Sequence, residues 1–360
     1  MPKFTSNLSF TWLYLIFTSC FSLTVNAIEV NDLYQTKIEV EDQSYDSRKL
    51  AYQLALKEVF IRVTGNPQIE QISSIKKAIQ RPVSYLNRYQ YETLQDKLLL
   101  QVQFNETAVN KLIKQNNQTI WGKRRPLLLW WIVVDNQGQK HIVADGDAQP
   151  NTLIQLQSKK RGLPLLFPLM DFDDQTQLTL TDLWGRFQAP VLQASQRYNP
   201  DSVVMVRVFK QDNEQESVLA NQWIAQLTLI EQGEPVTHVF KAEEQIELWP
   251  EMVDWLADYM AEKYSIRANS VSAEFLSLTV NNVNDAITAI KIQEFLDSIS
   301  AVEKSQIQSV NPNGVSFKLK LLGEALDVLD ALSLDNRIEI VKPKFGQEQP
   351  AIPNLYRWKG

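Results

Sequence analysis

One cysteine and two histidines in 360 residues leave this chain little with which to run thiol or imidazole chemistry. The cysteine, Cys20, lies inside an uncharged run from Leu8 to Val25 that follows Lys3 and ends in Val25-Asn26-Ala27, shortly before Glu29. A basic start, an apolar centre and small residues at the end predict a signal peptide over residues 1–27, cleaved after Ala27, and hence a periplasmic address. Ser and Thr dilute the run, and no basic cluster follows it, so a retained membrane anchor fits less well. Phe17-Thr18-Ser19-Cys20 is a poor version of a lipidation sequence. Membrane association is therefore expected only if Cys20 is lipidated or the leader stays uncleaved. Cleavage would remove the one thiol, and with it any disulfide, leaving the fold to be stabilised by its core.

Other absences narrow the chemistry. His141 and His238 have no carboxylate at metal spacing and no cysteine to join them, so no zinc site and no other metal site is expected. No serine stands on a Gly-flanked elbow of the kind a Ser-His-Asp machine needs. No sequence feature calls for a cofactor. The formal charge of −6 becomes −7 once Lys3 is gone, an acidic balance that disfavours nucleic acid as a partner. An apolar content of 44% with nine tryptophans is enough to build cores and excludes wholesale disorder.

Periodicity divides the rest into three α+β modules. In residues 28–120, alternation around Leu33 to Val40 predicts a strand. Asp46 or Ser47 then caps a helix with Leu50, Ala51, Leu54, Ala55, Val59 and Arg62 in step, stopped at Thr64-Gly65-Asn66-Pro67. A helix over 72–79, strands over 85–91 and 97–104 and a helix over 107–114 complete a β-α-α-β-β-α order. A basic hinge, Lys123-Arg124-Arg125, opens the middle module, 121–268. Its first strand, 127–134, is so uniformly apolar that both faces must be covered. A helix over 152–160, a proline-interrupted strand over 163–170, a helix over 181–198 broken near Pro190, a strand over 202–209, a hairpin and a closing helix follow. Residues 271–345 read as a ferredoxin-like β-α-β-β-α-β unit whose first helix turns Ile287, Ile290, Phe295 and Ile299 inward. Residues 346–360 read as a flexible tail.

Several residues carry a resemblance. Arg48, Ala51, Ala55-Leu56 and Arg62-Val63-Thr64-Gly65, then Trp121, Arg125-Pro126 and Trp130, then Arg161-Gly162-Leu163-Pro164, Asp171, Arg197-Tyr198 and Asp201 resemble the pattern of a family of secreted proteobacterial proteins, domain of unknown function 2066. The similarity covers about Leu33 to Val239 and implies an envelope address without a catalytic residue. The middle module is also similar in layout to periplasmic α/β domains of Tol and curli-secretion proteins, which are binding and assembly modules; that is analogy of fold.

Two groups of side chains are candidates for function. Asp171, Asp173 and Asp174, just past a strand, could ligate a hard cation or act as an acid and base pair, with Asp171 and Asp173 sharing one face if the strand continues. Arg125 and Arg161 with the adjacent Trp130 and Trp131 could form a basic and aromatic surface. Adjacent tryptophans on a strand require two covered faces or one exposed ring. The expectation is an exported, non-enzymatic binding or scaffold protein that contacts envelope proteins through sheet edges or aromatic patches. The alternative is a carboxylate- or cation-dependent hydrolase using Asp171, Asp173 or Asp174.

Overall fold

The computed structural model describes residues 30, 32–211, 222–231, 235–267, 275–299, 301–311, 314–333, 335, 337–341 and 354–359. The expected leader, with Lys3, Cys20 and Ala27, lies outside them. Among the described residues no helix is long and apolar enough to cross a membrane.

The first module holds β1 (Gln35–Glu39), α1 (Tyr45–Thr64), α2 (Ser73–Gln80), β2 (Leu86–Leu94), β3 (Lys97–Phe104) and α3 (Glu106–Gln115), in the expected order. The strands form an antiparallel sheet, β1-β3-β2. The cap of α1 is Ser44, whose hydroxyl accepts from the Ser47 N–H, so the helix starts upstream of the residues expected to begin it. Its stop is the expected one: Gly65 sits at φ 71°. The buried stripe runs through Ala51, Tyr52, Ala55, Leu56, Val59, Phe60 and Val63, whereas Leu50 and Leu54, expected inside, are exposed. Leu50 and Leu54 repeat at i, i+4 like a core stripe, but the sheet lies one step further around the helix.

A short β4 (Thr119–Ile120) leads to the middle module: β5 (Leu128–Asn136), β6 (Gln139–Ile142), α4 (Asn151–Arg161), β7 (Leu165–Leu166), α5 (Phe172–Gln177), α6 (Leu180–Gly185), α7 (Gln188–Ser195), β8 (Ser202–Lys210), β9 (Trp223–Ile230), β10 (Val236–Ala242) and α8 (Gln245–Tyr264). The sheet runs β10-β9-β8-β5-β6, with β7 also against β5. β5 and β8 are parallel from Leu128 opposite Ser202 to Asp135 opposite Phe209. Both faces of β5 are covered, as its uniform apolarity requires. Leu128, Trp130, Ile132 and Val134 enter a core shared with α4 and α8, and Leu129, Trp131 and Val133 enter one shared with α6 and α7. Each fully buried tryptophan removes roughly 200 Å² from water, an upper figure of about 5 kcal/mol. The expected break near Pro190 falls instead at Gly185 and Arg186, the latter at φ 56°; Pro190 sits in the first turn of α7, where its missing N–H costs nothing.

After β11 (Ile266–Arg267), which pairs with β4, the third module contains β12 (Phe275–Asn281), α9 (Ala286–Ser298), β13 (Val302–Asn311), β14 (Gly314–Leu321), α10 (Ala325–Ser333), β15 (Ile338–Ile340) and β16 (Leu355–Trp358). The β-α-β-β-α-β order is there: β14 lies between β12 and β13 and runs antiparallel to both. The sheet is one strand wider than expected, β13-β14-β12-β16-β15. Residues 355–358, taken from sequence as part of a flexible tail, insert parallel to β12 and antiparallel to β15, with Tyr356 and Trp358 buried in the core. On α9 the inward residues are Ala289, Ile292, Phe295 and Leu296; Ile287 and Ile290 face out.

Candidate functional site

The C-termini of α1 and α4 point at each other, and three arginines fill the space between them. Helix ends leave carbonyls without intrahelical partners and carry about half a negative charge. Arg125 is 1% exposed and spends all five of its N–H donors on backbone oxygens. Nε donates to Gly122 (3.0 Å), Nη1 to Arg161 (2.8 Å) and Gly162 (3.0 Å), and Nη2 to Arg62 (2.6 Å) and Trp121 (3.0 Å). Its guanidinium lies 3.8 Å from the centre of the Trp121 ring. One cation thus caps two helices from different modules. The other two arginines do this reciprocally: Arg62, on α1, donates to the Lys160 carbonyl of α4 (3.0 Å), and Arg161, on α4, donates to Gly65 beyond α1 (3.1 Å). Arg161 also pairs with Asp254 (2.8 Å) and Asp258 of α8. Burial, followed by the neighbouring Arg62 and Arg161 charges, pushes the Arg125 pKa well below the arginine value.

This junction explains both capping glycines. A Cβ on Gly65 would meet the Ala261 Cβ at 2.1 Å, and one on Gly162 would meet Arg125 Nη1 at 2.8 Å and Arg62 Cγ at 2.9 Å. The basic hinge is likewise consumed by structure. Lys123 reaches Glu106 of the first module (3.5 Å), Arg125 seals the first module to the middle one, and Arg124 reaches Asp335 of the third (2.6 Å). Three consecutive cations therefore tie three modules together. The expected basic and aromatic surface of Arg125, Arg161, Trp130 and Trp131 is not a surface, since all four side chains are buried. Helix carbonyls distant in sequence take the charges inside, and two helical layers cover the rings.

The acidic residues do meet, though not in the expected pair. The chain turns into α5 directly after Asp171, so the spacing that converges is i, i+3 rather than alternation along a strand. Asp171 caps α5, accepting from the Asp174 N–H (3.1 Å), and takes a two-pronged contact from Arg197 (2.6 and 2.7 Å). Asp174 is fully buried, with the Met170 N–H (2.9 Å), the Tyr198 hydroxyl and Arg197 Nη1 (3.2 Å) around it. Asp173 points to solvent, 4.0 Å from Arg197. The Arg197 hydrogen bonds and the cap lower the Asp171 pKa to about 2, and burial followed by the Asp174 contact raises that of Tyr198 to about 12. Tyr198 also lines a cavity of about 560 Å³ with Ser158, Lys159, Leu163, Leu165 and Phe167. Among the described residues no group of three or more Asp, Glu, His or Cys side chains could hold a metal ion.

A feature that sequence reading named only in general terms is the outer edge of β10. Its seven residues pair with β9 in unbroken register, Val236 opposite Leu229 to Ala242 opposite Trp223. Its other side has no strand against it among the described residues. Natural sheet edges are usually blunted by bulges, prolines or charged side chains, and β10 carries one such charge, Lys241. β13 has two register shifts and β2 has one; β10 has none and no proline. Beside this edge, on the α8 face, His238 stacks on Trp255 (4.8 Å, 21°) and Trp255 on Tyr259 (5.7 Å, 18°), while Val239 is half-exposed on the other face. The i, i+4 spacing of Trp255 and Tyr259 on one helix was the available signal.

Comparison with known proteins places two family matches on this frame. A domain of unknown function, DUF8605, matches residues 27–122, the first module and the start of the hinge. DUF2066 matches residues 275–360, the third module including β16. The resemblance to DUF2066 thus holds on the third module rather than on the stretch from Leu33 to Val239 where sequence reading put it. No curated protein and no solved structure matches the chain.

Proposed function

We propose that this chain is an exported, non-enzymatic binding or scaffold protein of the cell envelope that holds partner proteins through the open edge of β10. The edge of β10, free of bulge and proline and without a strand against it among the described residues, carries the proposal. An extended partner segment laid along it would form main-chain hydrogen bonds that β10 leaves unmade, and alternate side chains would fall beside His238 and Trp255 or beside Val239. The arginine junction supports the scaffold half of the reading, because it holds the modules in one arrangement and so presents the edge at a set angle. A photo-crosslinking residue placed at Thr237 or Val239, and in parallel at Gln306 on β13, tests it in the native envelope. Adducts to a protein from β10 positions are expected; adducts from Gln306 alone, or from none of the three, count against it.

One observation keeps the hydrolase reading in view: Tyr198 stands between the 560 Å³ cavity and buried Asp174. It gives the cavity a proton-bearing group backed by a carboxylate, the pairing an acid and base mechanism needs. Asp174→Asn and Tyr198→Phe, assayed for complementation of a gene deletion, decide it; full complementation by both removes the idea.

A further inference from the structure

The face of the middle sheet opposite α8 packs against α6 and α7. On that face Trp184 of α6 lies beside Lys140 of β6 and Arg207 of β8, with Gln226 of β9 next to them. Three cations gather there around Trp184. Lys140 Nζ is 4.6 Å from the centre of the Trp184 ring, and the Arg207 guanidinium is 5.6 Å from it. Arg186 is held nearby at φ 56°, immediately after α6. Lys140 has its own counter-ion, Asp135, at 3.0 Å. The two arginines have none among the described residues.

What they do have is neutral. Arg207 Nε donates to Gln226 Oε1 (2.7 Å) and its Nη1 to the Trp184 carbonyl (3.0 Å). Arg186 Nη1 donates to the Thr228 hydroxyl at 3.4 Å. These contacts orient the two forks and use three of their ten N–H donors. They do not cancel the charge. Burial, followed by the neighbouring Arg186 charge, pushes the Arg207 pKa below the arginine value, so the two guanidiniums repel with no carboxylate among the described residues to offset them. Arg161 and Arg197, by contrast, each face aspartates, Asp254 and Asp258 in the first case and Asp171 in the second. Planar guanidinium forks match oxyanions by two parallel hydrogen bonds, and an oxyanion between them would relieve their repulsion.

We propose that Arg186 and Arg207, with Lys140 at the rim, form a binding site for a phosphate-type oxyanion beside Trp184. It is separate from the β10 edge and does not depend on how that edge is used. Phosphate groups reach a protein either on small molecules or on lipid head groups, and the probes separate the two. The purified full chain would be titrated calorimetrically with inorganic phosphate, and sedimented with phosphatidylcholine vesicles with and without about one fifth phosphatidylglycerol. Binding of either probe should weaken as salt rises and fall at least tenfold in both R186Q and R207Q, with R186K keeping part of it. Phosphate binding alone identifies a soluble ligand; vesicle binding alone identifies a head group. Should R207Q disturb folding, R186Q carries the test, since Arg186 makes a single long hydrogen bond. No binding of either probe, or binding unchanged in R186Q, overturns the proposal.

Discussion

Replacing Arg125 by Ala should destabilise the joined first and middle modules by about 4 kcal/mol. The side chain makes five hydrogen bonds to backbone carbonyls, each charge-assisted and worth roughly 1.5–3 kcal/mol net. Their plain sum overstates the loss, because the vacated space would admit water to some of those oxygens. If two of the five stay dry, each costs about 1–3 kcal/mol, and losing the stack on Trp121 adds about 1 kcal/mol. Relief of the repulsion from Arg62 and Arg161 returns part of this, which leaves about 4 kcal/mol. R125M discriminates further. Apolar replacement of a buried ion pair is often harmless because both polar partners can be removed together. Here the partners are main-chain carbonyls that no substitution removes, so R125M should still cost about 3 kcal/mol, while R125K keeps three donors and costs about 2 kcal/mol. Urea unfolding of the full chain, followed by circular dichroism, reads the midpoints, and limited proteolysis should show new cleavage between residues 117 and 127. An R125A protein within 1 kcal/mol of the parent, uncut in that hinge, would refute the reasoning.

Other expectations follow from the same geometry. Gly65→Ala should cost about 3 kcal/mol or more in thermal unfolding, because it adds a clash with Ala261 to an unfavourable φ, whereas Gly138→Ala, with nothing within 4 Å of its Cβ, should cost only about 1 kcal/mol. The Asp171 carboxyl is held at about 2 against about 4 in an unfolded chain, so its contribution to stability is present above about pH 4 and lost as pH falls towards 2. Asp171→Asn should therefore flatten acid unfolding in that window, and an unchanged acid limb would contradict the Arg197 contact. Burial raises Tyr356 to about 12, so the neutral form stabilises the fold and that contribution is lost between about pH 10 and pH 12. Tyr356→Phe should shift the alkaline midpoint upward in a pH titration. Trp358→Ala should cost about 3–5 kcal/mol and broaden amide exchange in β12 and β15, since the ring is buried where the two halves of the third sheet meet.

The parts of this fold legible in sequence were those set by local pattern. The stop at Gly65 needs only a left-handed residue followed by a proline, and the two-sided burial of β5 follows from its unbroken apolar run. Trp130 and Trp131 posed a choice between two covered faces and one exposed ring, and two helical layers decide it. The parts that were not legible depend on groups far apart in the chain. Arg125 and Arg161 look like surface charge until the carbonyl ends of α1 and α4 are brought to them, 63 and 36 residues away in the case of Arg125. Leu50 and Leu54, or Ile287 and Ile290, repeat at helical spacing as well as the true core stripes do, and only the position of the sheet chooses between them. β16 is four residues long after a stretch rich in proline, and its alternation of Tyr356 and Trp358 inward with Arg357 outward is too short to stand out.

Six of the residues that carried the family resemblance share one place, while Asp171, Arg197 and Tyr198 meet at another. Arg62, Gly65, Trp121, Arg125, Arg161 and Gly162 belong to the helix-to-helix junction and are explained by capping, stacking and the lack of room for a Cβ. A motif of this kind specifies how two modules are fastened and says nothing about what they bind. Function has then to be sought where the structure leaves polar groups unsatisfied at the surface. Among the described residues two such places are the outer edge of β10, with no strand against it, and the Arg186 and Arg207 pair, with no carboxylate beside it. Both lie on the middle module, the stretch between the DUF8605 and DUF2066 matches, which the junction and the Arg124 contact with Asp335 hold in place between its neighbours.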